Sequence, residues 1–118
     1  MKFNPTLPIY LQIMDSIKKE IVTGVLVAGE RIESVRNLAE KYSVNLNTMQ
    51  RACAELEREQ VIHTQRGIGS FVTENQETIS ALKSEMSQAL VNDFVQGMQG
   101  IGYQQEEILK LIKKALEK

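Results

Sequence analysis

The densest chemistry in the chain lies between Asn45 and Arg51, where Asn45, Asn47, Thr48, Gln50 and Arg51 fall within a single stretch. A carboxamide sets a donor beside an acceptor and so matches the N6 and N7 edge of adenine. A guanidinium matches O6 and N7 of guanine, and a threonine reaches a phosphate oxygen or a thymine methyl. Wound into a helix, the segment turns these groups outward while Met49, Cys53 and Leu56 fall on the inner stripe. A rod that enters a DNA major groove needs that arrangement, with short polar groups or arginine at its leading end and a packed core behind. Taken alone, the same arrangement describes the solvated face of any amphipathic helix.

Two further cations stand near enough in sequence to join it. Arg66 and Gly67 begin the loop Arg66-Gly67-Ile68-Gly69 between two β-branched or aromatic runs, residues 61–65 and 70–73. This predicts a β-hairpin whose glycines let backbone and arginine approach phosphates or a narrow minor groove. Arg36 follows Ser34 at the start of another helical segment and is either a phosphate contact or the partner of Glu40 four positions on.

Other chemistries find little support. Acid/base or nucleophilic catalysis needs a base and a positioned partner, and the chain has one histidine, His63, with no nucleophile motif, so no catalytic residue is expected. No phosphate-binding glycine loop points to a nucleotide cofactor, and no cofactor is expected. One cysteine and one histidine do not make a metal site unless carboxylates or a second chain help, and no metal is expected. Cys53 reads as a small buried hydrophobe or, as a rival, a redox sensor; His63 reads as a surface residue or a phosphate contact.

These groups need elements to hold them. Pro8 suits the first turn of a helix that carries Ile9, Ile13, Ile17 and Ile21 at four-residue steps, with Tyr10 and Met14 alongside, and that ends at Gly24. A short extended piece around Arg31 and Ile32 leads to Ser34, an N-cap for a helix from Val35 to about Tyr42 with Leu38 and Ala39 inward. Asn45 caps the next helix, from Leu46 to about Gln60. Glu55, Glu57 and Glu59, on its far half, are expected to face away from the reading end.

The stretch 73–78 interrupts the apolar patterns and reads as a linker, placing one domain at residues 1–74 and a helical tail at residues 75–118. In the tail, Ile79, Leu82, Met86, Leu90, Phe94 and Met98 step by three or four, as do Ile108, Leu111 or Ile112, and Ala115. Gly97, Gly100 and Gly102 separate the two helices. Neither can cover its own stripe, so the pair is expected to fold back as a hairpin and meet a second copy of the chain. The fold class is α+β, a winged helix-turn-helix of three helices and a hairpin, followed by a two-helix dimerisation hairpin.

At 118 residues, with 42% hydrophobic and 25% charged content, the chain is long enough for one small domain and an accessory piece. A formal net charge of −1 gives no overall basic signature, so nucleic-acid binding has to rest on local placement. No apolar run reaches the roughly 20 residues of a membrane span, and no export signal is read at the start, so a cytoplasmic protein without membrane contact is expected.

From Pro8 to Val72 the chain resembles the DNA-binding domain of the GntR family, in Pro8-Ile9-Tyr10-Leu11-Gln12-Ile13, Ser34-Val35-Arg36-Asn37-Leu38-Ala39, Val44-Asn45-Leu46-Asn47-Thr48-Met49 and Gln65-Arg66-Gly67-Ile68-Gly69-Ser70-Phe71-Val72. The short tail is similar to that of the YtrA-like subfamily. The resemblance implies a dimeric bacterial repressor on double-stranded, two-fold symmetric operator DNA, often of a transporter operon. It further implies that Ser34 and Arg36 meet DNA at the head of their helix, that Asn45, Asn47, Thr48, Gln50 and Arg51 form the reading end, and that Arg66 and Gly67 serve the wing. Glu33 and Leu46 depart from the family pattern, which usually has proline at the first and arginine or proline at the second. A small-molecule effector would enter near Phe94, Met98 and Tyr103. The rival from another class is a protein-interaction module that uses the winged scaffold without DNA.

Overall fold

Of the isoleucines at four-residue steps, Ile13, Ile17 and Ile21 are buried with Met14, whereas Ile9 is 42% exposed at the helix start. They lie on α1 (Ile9–Val22), for which Pro8 is the cap residue just outside the helix. In the computed structural model, which describes residues 1–117, α2 (Val35–Tyr42), α3 (Leu46–Arg58), β1 (Ile62–Gln65), β2 (Gly69–Val72), α4 (Gln76–Gly100) and α5 (Gln105–Leu116) follow in order. Two compact units result, Met1–Leu82 and Lys83–Lys118. The class is α+β, with helices and one antiparallel hairpin.

In the first unit α3 is central, packing against α1, α2 and β1. Its buried seam is Met49, Ala52 and Leu56, which meets Leu38, Ala39 and Tyr42 of α2 and the buried α1 stripe to form one core with Val61, Ile62 and Val72. The Tyr42 hydroxyl shares a hydrogen bond of 3.0 Å with Ser16 Oγ, satisfying the polar end of a buried ring. Cys53 is half-buried and not part of this seam, one residue away from the expected inward position.

Helix ends are set by local chemistry. Ser34 Oγ accepts from Asn37 N at 3.1 Å and Asn45 Oδ1 from Thr48 N at 2.8 Å, each satisfying an N–H that the helix itself leaves open. At the other ends, Ser43 (φ 57°) and Gln60 (φ 64°) take left-handed conformations. There Val44 N donates to Ala39 O and Val61 N to Leu56 O, both at 3.0 Å, the six-to-one bond of a Schellman motif. The left-handed turn at Gln60 stops α3 at Arg58, short of the expected end near Gln60.

The hairpin pairs Ile62 with Val72 and Gln65 with Gly69. A third extended segment joins it. Ile32 N donates to Ser70 O and Val72 N to Glu30 O, both at 2.9 Å, so the piece around Arg31 and Ile32 lies along β2 as an added edge.

The tail differs from expectation in two places. Asn75 Oδ1 accepts from Glu77 N at 2.9 Å and starts α4 inside the stretch read as a linker. α4 also runs through Gly97 and Gly100. Each glycine costs a helix interior about 1 kcal/mol, too little to break one of this length. Only Gly102 (φ +98°) turns the chain, with Tyr103 N bonding Met98 O at 3.1 Å. The first turn of α5 is closed by Gln104 N donating to Glu107 Oε1 at 3.1 Å. Of the tail positions expected to be apolar contacts, Leu82 and Ile108 are buried and Ile79, Met86 and Ile112 half-buried, whereas Leu90, Phe94 and Leu111 are exposed. No described helix is long and apolar enough to cross a membrane.

Candidate nucleic-acid interface

The leading turns of α3 hold the polar groups that the sequence singles out. Asn47, Gln50 and Arg51 are exposed, and Thr48 is half-buried. At ~100° per residue, Asn47 lies nearly opposite the Met49, Ala52 and Leu56 seam, with Gln50 on one flank and Arg51 on the other. Asn45 Oδ1 accepts the cap hydrogen bond from Thr48 N, and its amide NH2 remains available to donate. The helix is rigid behind these groups because the seam is fully buried, so they start from fixed backbone positions.

Each flank of α3 is tied to a different element. On the Arg51 side, Lys18 of α1 pairs with Glu59 at 2.7 Å, and the Arg51 guanidinium lies 3.9 Å from the centre of the Tyr10 ring. Arg51 Nη2 also donates to Tyr10 Oη at 3.2 Å. On the Gln50 side, Glu57 Oε2 accepts from Thr64 N of β1 at 2.9 Å. The acidic groups on the far half are therefore engaged on the flanks, Glu55 with Arg58, Glu57 with the wing and Glu59 with α1.

Ser34, Asn37, Cys53, Gly69, Ser70 and Arg31 line a groove of about 570 Å³ between the start of α2, α3 and β2. The structure thus brings Ser34 beside the wing. Arg36, Arg66 and Gly67 are exposed, and Arg36 has no ion-pair partner among the described residues. Gly67 (φ +80°) is the third residue of a turn closed by Ile68 N to Gln65 O at 2.9 Å, which needs a residue at ease with positive φ. Glu33 is met by Lys41 at 3.8 Å, which offsets its charge beside the α2 start. Leu46 is 38% exposed on the first turn of α3.

Two residues escaped the sequence. Arg31 lies against Gly69 so closely that a Cβ there would come 2.8 Å from its Nε, placing a cation on the wing. Its only signal was a position in an extended segment. Tyr10 was legible as part of an apolar stripe, but its contact with Arg51 bridges 41 positions and has no local signature.

Cys53 and His63 have weaker claims. Burial, and secondly the Glu57 carboxylate, push the Cys53 thiol up, away from the thiolate that an oxidant needs. His63 stacks on Phe71 at 5.7 Å across the hairpin and is exposed. No described group of three or more His, Cys, Asp or Glu is placed to hold a metal ion.

Residues 9–72, from the first turn of α1 to the end of β2, match the model of the bacterial regulatory proteins of the gntR family. The chain belongs to the GntR family. It is a DNA-binding transcription regulator and not an enzyme. Over 116 residues it is 38% identical to the uncharacterized HTH-type transcriptional regulator YhcF of Bacillus subtilis, covering 98% of this chain and 96% of that protein. It is 34% identical over 98 residues to the HTH-type transcriptional repressor YtrA of the same organism, covering 78% and 75%. A GntR family transcriptional regulator from Listeria monocytogenes superposes with a TM-score of 0.89 at 42% identity, over 95% of this chain and 98% of that one. The GntR match ends at Val72, so the tail's likeness rests on the relatives that span nearly the whole chain.

Proposed function

We propose that this GntR regulator acts as a homodimeric repressor whose two α3 helices read a two-fold symmetric operator in double-stranded DNA. In each subunit Asn47, Thr48, Gln50 and Arg51 face the groove. Asn45, Ser34 and Arg36 meet the DNA at the two helix starts, and Arg66 and Gly67 at the wing tip. The observation that carries the reading is the exposure of Asn47, Gln50 and Arg51 on a helix whose opposite side is wholly buried.

Dimerisation through residues 75–118 is supported by apolar surface that one chain leaves open. Leu90 is 68% exposed, Phe94 43% and Leu111 41%, and Ile79, Met86 and Ile112 are half-buried. Covering such a side chain contributes about 1.5–3 kcal/mol. Scaled to the surface each still exposes, these six positions in two copies supply roughly 6–13 kcal/mol, comparable with an association cost of roughly 4–15 kcal/mol. Joining two modules spaces the reading helices about one DNA turn, ~34 Å, apart and adds affinity without new contacts. The name of the relative YtrA, a repressor, supports repression. By family resemblance the regulated genes include a transporter operon, the protein works in the cytoplasm, and a small molecule acts near Phe94, Met98 and Tyr103.

Sedimentation and gel-shift titration test this together. Wild type is expected to sediment as a dimer and to retard a fragment selected from the host genome, with affinity falling steeply as salt rises. The double substitution Leu90→Glu, Phe94→Glu is expected to give a folded monomer with operator affinity about 100-fold lower or worse. A wild-type monomer, or a monomeric variant with undiminished affinity, would contradict the reading.

A further inference from the structure

We propose that Tyr10 is a positioning residue that pins Arg51 to the rim of the reading face, making Arg51 a phosphate clamp and leaving base reading to Asn47 and Gln50. The inference rests on the DNA reading above and divides its labour.

The geometry begins with α3. Its buried seam of Met49, Ala52 and Leu56 defines the inward direction. Successive residues turn by ~100°, so Asn47 points almost straight out, while Gln50 and Arg51 diverge by about 50° to either side. Independent contacts identify the two flanks. Glu57 bonds Thr64 of the wing on the Gln50 side, and Glu59 pairs with Lys18 of α1 on the Arg51 side. Arg51 then leans further from the centre. Its guanidinium lies 3.9 Å from the Tyr10 ring centre and its Nη2 donates to Tyr10 Oη at 3.2 Å.

A guanidinium held there is displaced from the line along which a helix meets base edges and toward the strand that walls the groove. It also keeps its charge available. The acid one turn on, Glu55, is engaged by Arg58, and no described carboxylate pairs with Arg51. One donor is spent on Tyr10, and a guanidinium has five, so enough remain for a bidentate phosphate contact. The aromatic face lowers the entropy lost when a long side chain is fixed at an anion, because the side chain is already ordered. Tyr10 is itself half-buried in the first turn of α1, so the platform is anchored to the same core as the helix it serves.

The test uses full-length protein, an operator fragment selected by the wild type, its single-base variants and a scrambled duplex of equal length. R51A is expected to weaken binding to every duplex by the same factor and to flatten the salt dependence by about two ions per dimer. Y10F, which keeps the ring, is expected to stay within about twofold of wild type. Y10L, which fills the space without a π face, should weaken operator binding about 5- to 30-fold, a few-fold per subunit. In an R51A background, Y10L should have no further effect. Melting midpoints of each variant separate this from unfolding, and the R51A and Y10F measurements stand even if Y10L is unstable. The proposal is overturned if R51A relaxes preference at one base pair with an unchanged salt slope, or if Y10L weakens R51A as much as it weakens wild type. A wild type that retards neither duplex removes the DNA reading itself, an outcome distinct from both.

Discussion

Replacing Asn45 by aspartate is expected to move stability and operator binding in opposite directions. The Asn45 side chain accepts the Thr48 N–H at 2.8 Å through its carbonyl oxygen, and a carboxylate preserves that acceptor. It also sets a negative charge at the positive end of α3, worth about 0.3–1 kcal/mol of added stability. For a unit of this size that raises the melting midpoint by a few degrees, since 1 kcal/mol corresponds to roughly 4–8 °C. On DNA the sign reverses. Two unit charges 4 Å apart in water repel by about 1 kcal/mol, so two subunits facing phosphates lose about 30-fold in affinity at low salt. Alanine at the same position removes the cap, costing about 1 kcal/mol, and adds no charge. Thermal melts and gel shifts on the three proteins therefore separate capping from proximity to DNA. If the aspartate variant binds the operator as tightly as wild type, the start of α3 is not turned toward phosphate.

Gln60→Gly should stabilise the first unit by about 1 kcal/mol in urea titration, because the left-handed φ of 64° is strained for glutamine and free for glycine. Gly69→Ala should cost about 1–3 kcal/mol, since φ is +147° and the new Cβ would meet Arg31 Nε at 2.8 Å; an unchanged melt would show that Arg31 moves away freely. The raised Cys53 pKa means less thiolate at neutral pH than in a free cysteine, so iodoacetamide should label the folded protein more slowly than the urea-unfolded chain, with the rate climbing only above the ordinary thiol range. Equal or faster labelling of the folded form would reverse that assignment, and Cys53→Ser should leave the response to peroxide unchanged.

What was legible in the sequence was local. Ser34 and Asn45 announce two helix starts because their side chains satisfy backbone N–H groups three residues on, and both make those bonds. The hairpin was legible because β-branched runs flank a glycine-bearing loop. Harder to read were features that depend on distant partners or on small angular differences. The segment at residues 30–32 becomes a sheet edge only because β2 arrives 40 positions later. Cys53 is one residue, or ~100°, from Ala52, and that rotation separates the buried seam from the groove wall. Gly97 and Gly100 looked like punctuation but cost a long helix too little to end it. The partners of Arg51 and Arg31 are set by packing across the fold, where no spacing rule reaches.

The bond from Glu57 to Thr64 N has a bearing on engineering. A hairpin brought in from another regulator supplies its own backbone N–H at position 64 and finds Glu57 still waiting on α3, whereas this hairpin moved onto a scaffold without a carboxylate at that place loses the bond. Chimeras that carry only residues 62–72 of this chain into another regulator should therefore seat loosely, and ones that also carry the last turn of α3 should keep the hairpin fixed to its helix.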